Sequence, residues 1–279
     1  MAPLGIIAGL GELPVQVAKA ATERGQGVYV IRMKGYEEPA LANYPGIVAG
    51  VAEIGKTMKA LKHAGCQQVC FAGIVKRPDF QALKPDLKGI SLLPKAISAA
   101  REGDDALLSF LIKTFENEGF EVIGADEAAG SLTGAAGLLA GVQPSPDQMV
   151  DLKKAAAIAS EMGRLDIGQG AIVANGLVLC VEAQEGTDEM LRRCSELPTQ
   201  IRGSGQARVG VLVKRPKPQQ ERRIDLPTIG MRTVELAAEA GLIGIGFEAD
   251  GALIINSAQV QARAEALGLF LYGFPKDWP

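Results

Sequence analysis

Residues 4–31 read LGIIAGLGELPVQVAKAATERGQGVYVI, and this stretch contains the pattern that decides the fold. The apolar run LGIIA is followed by a glycine-rich turn, by an amphipathic segment at 13–25 and by a second apolar run at 28–31. A strand, a helix and another strand in this order indicate parallel strands joined by a crossover helix. We therefore predict that the chain opens as an α/β protein.

The same alternation continues through the first half of the chain. Strand-like runs at 47–51, 69–75 and 121–125 alternate with helix-like runs at 53–65, 92–101 and 104–118. Strands separated by helices of about 10 to 15 residues are typical of a parallel sheet covered on both faces. We predict a Rossmann-like N-terminal domain over residues 1–130.

The second half has a different pattern. Residues 131–148 are rich in Gly, Ser and Pro, which predicts a linker, and a mixed α/β C-terminal domain is expected at 149–279. Asn175 and Gly176 separate two strand-like runs and suit the two positive-φ positions of a type I′ turn, so we predict a β-hairpin. The other predicted elements are helices at 149–162, from near 188 and at 231–240, and strands at 210–214 and 252–256.

Composition excludes some classes of function. A net charge of −3 and a pI near 5.5 argue against a nucleic-acid binder, which would need a basic surface to neutralise phosphates. The four cysteines show no metal-binding spacing and need no disulfides, as in a reducing compartment. No signal-peptide pattern and no apolar run of roughly 18 residues is present. We expect a cytoplasmic protein, with peripheral contact to a membrane face left open.

The glycine turn of the first strand–helix unit is the first candidate site. Gly9, Leu10 and Gly11 lie where a backbone can approach a phosphate or ribose at a helix N-terminus. Pro14, however, replaces the third glycine of the dinucleotide motif, and Arg32 follows the second strand where a ribose-binding acid is expected. An NAD site is therefore weakly supported, and a purely structural turn is an equal alternative.

Lys76 follows the predicted strand at 69–75. Ligands of open parallel sheets bind beyond the carboxyl ends of the strands, so Lys76 could hold a phosphate as a point charge. A solvated loop lysine is the alternative.

An acidic segment, EAQEGTDEML at 182–191, opens a predicted helix. Thr187 is expected as its N-cap, with Asp188 and Glu189 in the first turn complementing the helix dipole. Capping does not explain Glu182 and Glu185, because four carboxylates this close repel one another unless a cation joins them. Mg²⁺ would suit such oxygen ligands, and a solvated acidic surface is the alternative.

A basic run precedes Asp225. One interpretation of this run is a solvated loop. The other is an anion clamp, which would bind phosphates or an acidic membrane face. The run consists of Lys214, Arg215, Lys217, Arg222 and Arg223. Asp225 itself could form an ordinary turn before Leu-Pro or could serve as a metal ligand that orients water. Local chemistry leaves both alternatives open.

Seven segments in order along the chain resemble the LpxI-type UDP-2,3-diacylglucosamine pyrophosphohydrolases of lipid A biosynthesis. They are IAGLGELP, GIVKRPDF, GDDALL, LDIGQGAIV, VEAQEGTDEMLRR, GVLVK and RIDLPTIGMRTVE. The resemblance covers essentially the whole chain. It implies a Mg²⁺-dependent hydrolase that splits UDP-2,3-diacylglucosamine into UMP and 2,3-diacylglucosamine 1-phosphate (lipid X), with the substrate clasped by the two domains.

The resemblance implies a role for one residue: the aspartate of the DLPTIG motif, Asp225, is associated with catalysis. The other roles are expected from local chemistry. Asp225, together with Asp188 and Glu182, would hold Mg²⁺ or orient the attacking water. Lys76 and Lys214 would neutralise the diphosphate, and Thr228 would face a phosphate oxygen. The remaining expected substrate contacts are Gly9, Leu10, Gly11, Asp104, Gln169, Thr187 and Asp188.

Two other functions stay in view. The first half alone would suit an NAD(P)-dependent oxidoreductase, and acids that only solvate the surface would suit a non-catalytic nucleotide-sugar binding module. The sequence leaves the oligomeric state open, with a homodimer among the alternatives.

Overall fold

The computed structural model describes residues 1–76, 78–130, 132–218, 221–223 and 225–278. The chain divides into a first unit, Met1–Ser131, and a second unit, Leu132–Pro279. Among the described residues no helix is both long and apolar enough to cross a membrane.

The first unit is built on a parallel sheet of order β3-β2-β1-β4-β5. Its elements are β1 (Leu4–Ala8), α1 (Glu12–Glu23), β2 (Val28–Met33), a 3-10 turn (Pro39–Leu41), β3 (Gly46–Ala49), α2 (Ile54–His63), β4 (Gln68–Ala72), α3 (Leu87–Glu102), α4 (Asp104–Glu116), β5 (Glu121–Ile123) and α5 (Ala125–Ala129). The predicted α/β class and parallel sheet are confirmed.

The opening stretch forms the centre of this sheet. All five residues of β1 are buried, as expected for a central strand of a parallel sheet. Gly5 lets α2 pack closely, because a Cβ atom there would lie 2.6 Å from Cδ2 of Leu61. Pro14 lies in the first turn of α1, where its missing N–H costs no hydrogen bond.

The second unit contains a mixed sheet of order β6-β13-β11-β9-β7-β8, as predicted for this half, and a small parallel pair, β10-β12. Its elements are β6 (Gly137–Ala140), α6 (Pro146–Arg164), β7 (Gly170–Ala174), β8 (Leu177–Val181), α7 (Gly186–Ser195), α8 (Thr199–Arg202), β9 (Val211–Lys214), β10 (Thr228–Ile229), α9 (Met231–Glu239), β11 (Gly244–Glu248), β12 (Leu253–Ile254), α10 (Ser257–Ala266) and β13 (Phe270–Phe274).

The segment 131–148, which we expected to be a linker, includes β6 and the start of α6. Two of its three glycines, Gly134 and Gly141, are packed tightly against neighbouring groups. Gly141 has φ 76°, and a Cβ atom there would lie 2.4 Å from the carbonyl oxygen of Leu269. Ser145 and Gln148 form a capping box that starts α6.

The predicted β-hairpin is confirmed. Asn175 and Gly176 have φ values of 48° and 77°, as a type I′ turn requires, and join β7 to β8. The buried carboxylate of Asp151 on α6 accepts hydrogen bonds from both backbone N–H groups, at 2.8 Å and 2.7 Å. A helix side chain therefore holds the turn, which the sequence pattern did not indicate.

Two inner strands of the second sheet, β11 and β13, were missed, and the predicted strand at 252–256 shrinks to the two residues of β12. Its glycines kept β11 (GIGFE) from showing the apolar pattern typical of a strand. Gly244 makes room for the ring of Phe270 and Gly246 for Leu152, with hypothetical Cβ contacts of 2.3 Å and 2.5 Å. Glycine normally weakens a strand, so packing decides the conformation here.

Candidate active site

The glycine turn of the first unit is held tightly against β4. The N–H of Gly9 donates to the carbonyl of Ala72 at 2.9 Å, and Leu10 exchanges backbone hydrogen bonds with Ile74 at 3.0 Å and 2.8 Å. A Cβ atom at Gly9 would lie 2.4 Å from the Ile74 oxygen. The glycine at position 9 is therefore required by packing.

Gly11 behaves differently. It has φ 102° just before α1, faces open space, and its N–H donates to Oε2 of Glu38 at 3.0 Å. Glu38 comes five residues after the end of β2, whereas the dinucleotide motif places its acid directly after the strand, so the sequence pattern did not indicate Glu38. A carboxylate at this turn suits a ligand hydroxyl better than a phosphate.

The remaining candidates of the first unit lie on separate elements. Lys76 is exposed in the segment after β4, without an ion-pair partner among the described residues. Asp104 is the first residue of α4. Arg32 donates to the carbonyls of Leu41 and Tyr44 at 3.1 Å and 3.2 Å, so it braces the chain after β2.

In the second unit, arginines accompany most acids of the 182–191 segment. Asp188 lies 2.5 Å from Nε of Arg232, Glu189 pairs with Arg192, and Glu185 pairs with Arg193. Backbone hydrogen bonding together with Arg193 holds the pKa of Glu185 below its usual range. The repulsion expected between these carboxylates is thus relieved by side chains of the protein itself.

The predicted capping role of Thr187 is wrong. Helix α7 begins at Gly186, which has φ 80°, and its N-cap is Glu185. The Thr187 hydroxyl instead donates to Oε1 of Glu182 at 3.0 Å.

Among the residues that the structure describes, no arginine pairs with Glu182. Glu182 is only 6% exposed, and its Oε2 is buried with no hydrogen-bond partner in this part of the chain. That oxygen points towards Gly170, where a Cβ atom would lie 2.5 Å away. Burying a carboxylate without a partner costs free energy, so Glu182 is suited to bind a cation or a hydrogen-bond donor.

Lys214 lies on the same face of the sheet as Glu182, on the other side of Gly170. It is the last residue of β9 and pairs in register with Gly170, whose carbonyl accepts the N–H of Glu182 at 2.9 Å. Lys214 is 5% exposed, and its Nζ donates to the carbonyl of Thr228 at 3.0 Å. An acid and a lysine therefore flank Gly170 where β7 begins and β8 and β9 end.

The last candidates follow from these contacts. Thr228, tied to Lys214, begins β10, and its hydroxyl donates to the carbonyl of Leu226 at 3.3 Å. Asp225 is half-buried three residues earlier, with its N–H donating to the Glu221 carbonyl at 3.2 Å. Gln169 precedes β7, and its carbonyl accepts the N–H of Arg215 at 3.1 Å.

Four of the five cations in the basic run form internal ion pairs, which neither interpretation of the run predicted. The pairs are Arg215 and Arg222 with Glu248, Lys217 with Asp166, and Arg223 with Glu221. Arg223 in turn lowers the pKa of Glu221. Glu221 lies within the run, whereas the fold brings Asp166 and Glu248 to it from distant parts of the sequence. Lys214 is left as the candidate of the run for an anionic ligand.

The three acids predicted to bind metal are not gathered into one cluster. Among the described residues, no group of three or more His, Cys, Asp and Glu side chains could hold a metal ion. Mg²⁺ commonly takes one or two protein carboxylates and completes its shell with water and substrate phosphates. The orphaned Oε2 of Glu182 fits that mode of binding, whereas Asp188 is engaged by Arg232.

Fold and site together define an α/β protein whose second unit places a buried acid and a lysine where strands of the mixed sheet end. The lysine is hydrogen-bonded to the carbonyl of Thr228 in the small β10-β12 sheet. This arrangement suits a phosphate-bearing ligand. The LpxI N-terminal domain model matches residues 3–132, and the LpxI C-terminal domain model matches residues 135–272. The chain belongs to the LpxI family.

Individual proteins agree with this placement. The chain is 52% identical to the UDP-2,3-diacylglucosamine pyrophosphatase LpxI of Caulobacter vibrioides over 280 aligned residues, which cover 100% of each protein. Among solved structures, N5-carboxyaminoimidazole ribonucleotide synthetase from Thermotoga maritima is similar over 66% of this chain and 42% of its own, with 18% identity and a TM-score of 0.27. A structural likeness this weak carries no argument.

Proposed function

We propose that this protein hydrolyses the diphosphate of UDP-2,3-diacylglucosamine to UMP and lipid X in lipid A biosynthesis. The observation that carries the proposal is membership of the LpxI family along both units, with 52% identity to a pyrophosphatase acting on that substrate. The buried acid and lysine beside Gly170 add support, since a diphosphate needs its charge compensated before water can attack.

We propose Mg²⁺ as the cofactor, with Asp225 and Glu182 as its protein ligands and the substrate phosphates completing the shell. Bound there, the ion would neutralise the diphosphate and acidify the attacking water. Asp188 would join it only after leaving Arg232. The orphaned oxygen of Glu182 is the feature of the chain that supports this assignment.

Different groups of the protein would contribute to different parts of the reaction. The Asp225 carboxylate orients a water molecule towards the phosphorus on the sugar side and accepts its proton. A new oxygen–phosphorus bond forms on that phosphorus while its bond to the bridging oxygen breaks, and the bridging oxygen leaves with UMP. Lys214 stabilises the developing charge, and Thr228 with the free amides at the start of α9 faces a phosphate oxygen.

The other expected substrate contacts remain proposals. In the first unit they are Gly9, Leu10, Gly11, Lys76 and Asp104, and in the second Gln169, Thr187 and Asp188. Because the substrate carries two acyl chains, we also propose that the protein is cytoplasmic and works in peripheral contact with the inner membrane.

The deciding experiment is incubation of the purified protein with UDP-2,3-diacylglucosamine, with Mg²⁺ and then with excess EDTA. We expect equal amounts of UMP and lipid X by mass spectrometry with Mg²⁺, and neither with EDTA. In H₂¹⁸O the label should enter the phosphate of lipid X, and label in UMP would mean attack on the other phosphorus.

The same incubation separates the alternatives. Binding without cleavage in saturating Mg²⁺ would indicate a nucleotide-sugar binding module. A nicotinamide-dependent absorbance change without UMP release would indicate an oxidoreductase.

A further inference from the structure

The segment between β9 and β10 carries Asp225, and several of its described residues form ion pairs. Near its start, Nζ of Lys217 lies 2.6 Å from Oδ1 of Asp166. Further along, Arg222 lies 2.8 Å from Oε1 of Glu248. This second contact involves Arg222, which comes three residues before Asp225 in the sequence.

Glu248 is a rigid anchor for this contact. It is the last residue of β11 and 1% exposed, and its other oxygen, Oε2, lies 3.3 Å from Arg215. Arg215 is also buried and donates to three backbone carbonyls, those of Ala156, Lys276 and Trp278. Arg215 therefore holds Oε2 of the Glu248 carboxylate, and Arg222 pairs with Oε1.

Arg222 and Asp225 are coupled through a short turn. The N–H of Asp225 donates to the carbonyl of Glu221 at 3.2 Å. Arg223 grips both carboxylate oxygens of Glu221, at 2.9 Å and 2.8 Å. A displacement of Arg222 from Glu248 would therefore move the turn that carries Asp225.

We infer that Glu248 and Arg222 are positioning residues that set the place of the Asp225 carboxylate without touching substrate. The inference rests on the proposed function, in which Asp225 orients the attacking water. Loss of the contact should lower kcat and leave KM unchanged, since binding groups elsewhere are untouched. Arg222 is the residue to vary, because Glu248 then keeps Arg215 and the buried charge stays paired.

The test compares Arg222→Ala and Arg222→Lys with Arg263→Ala as matched control. Arg263 is also a partly exposed arginine of the second unit, paired with Glu235 at 2.9 Å on the surface between α10 and α9. We expect Arg222→Ala to lower kcat for UMP release about 100-fold, the size of loss that a 1 Å misplacement can cause, with KM within about twofold. Added guanidinium should restore part of that rate, Arg222→Lys should be intermediate, and the control should match the wild type.

A second measurement does not depend on activity. Hydrogen exchange of the peptide spanning residues 221–230 should be faster in Arg222→Ala than in the wild type, Asp225→Ala or Arg263→Ala. If the wild type releases no UMP, the proposed function fails. Independently of that result, unchanged hydrogen exchange in Arg222→Ala would overturn the positioning role.

Other outcomes also count against the inference. A raised KM with unchanged kcat in Arg222→Ala would mean that Arg222 binds substrate directly. Full activity of Asp225→Ala combined with loss in Arg222→Ala would mean that the ion pair acts on another group.

Discussion

Glu182 stands apart among the acids near the start of α7. Asp188, Glu185 and Glu189 each have an arginine partner, whereas Oε2 of Glu182 is buried and has no hydrogen-bond partner in the described part of the chain. The sequence showed that these acids crowd together. It could not show which one stays uncompensated, because Arg232 reaches Asp188 from another helix.

We predict that Glu182→Gln folds normally but needs more Mg²⁺. The substitution keeps the shape and the Thr187 contact while removing the charge that would attract the ion. The Mg²⁺ concentration for half-maximal UMP release should rise at least about tenfold. Calorimetry with Mg²⁺ and UMP should show the same weakening, and an unchanged Mg²⁺ dependence would remove Glu182 from the metal site.

We predict that Asp225→Asn retains substrate binding but loses turnover. The amide cannot accept a proton from water, so kcat should fall by about 10²- to 10⁴-fold while KM and the melting temperature stay near wild type. Asp147→Asn, at an exposed acid in the first turn of α6, is the control. Near-normal UMP release from Asp225→Asn would exclude the proposed base.

At the scale of elements, the β7–β8 hairpin positions two residues of the site. Gly170 is the first residue of β7, and Glu182 directly follows β8. Local sequence predicted this hairpin because Asn-Gly specifies its own turn. It did not predict that Asp151 of α6 would hold the turn, because that contact joins residues 24 and 25 positions apart.

We predict that Gly176→Ala destabilises the protein by about 1–2 kcal/mol. Gly176 has φ 77° and open space around its Cα, so the cost comes from backbone strain and not from a collision. Gly205→Ala is the matched control, because position 205 has equally open space but no positive φ. Urea unfolding of both variants checks the difference, and equal midpoints would contradict the strain argument.

At the scale of the whole molecule, each unit has its own sheet and its own buried residues. The sole tryptophan, Trp278, belongs to the second unit and stacks on Phe274 with ring centroids 5.0 Å apart. Its fluorescence therefore reports that unit. In the first unit, Glu118, in the turn after α4, pairs with Lys62 of α2 and Lys88 of α3.

We predict an acid-dependent loss of stability in the first unit that Glu118→Gln reduces. Lys62 and Lys88 lower the pKa of Glu118 from 4.5 to about 2 in the folded state. A lowered pKa adds stability that is fully present above the unfolded value and disappears as pH falls towards about 2. Unfolding followed by circular dichroism from about pH 6 to about pH 2, a range that includes the folded and unfolded pKa values, should show this loss of stability. Added salt should weaken the effect because the pair is exposed.

The tryptophan signal supplies an internal control for this experiment. The fluorescence transition of the second unit should be the same in Glu118→Gln and in the wild type. The same pH dependence of circular dichroism in both proteins would show that the lysine contacts add nothing to stability.

The sequence by itself determined the α/β class, the parallel first sheet, the hairpin and the family, because each depends on local periodicity, turn chemistry or motifs read along the chain. Tertiary structure alone decided the partners of charged residues: Glu38 at Gly11, Arg232 at Asp188, Glu248 between two arginines, and Glu182 left uncompensated. Charges attract across space irrespective of sequence separation, so only the folded chain reveals which acid meets which base.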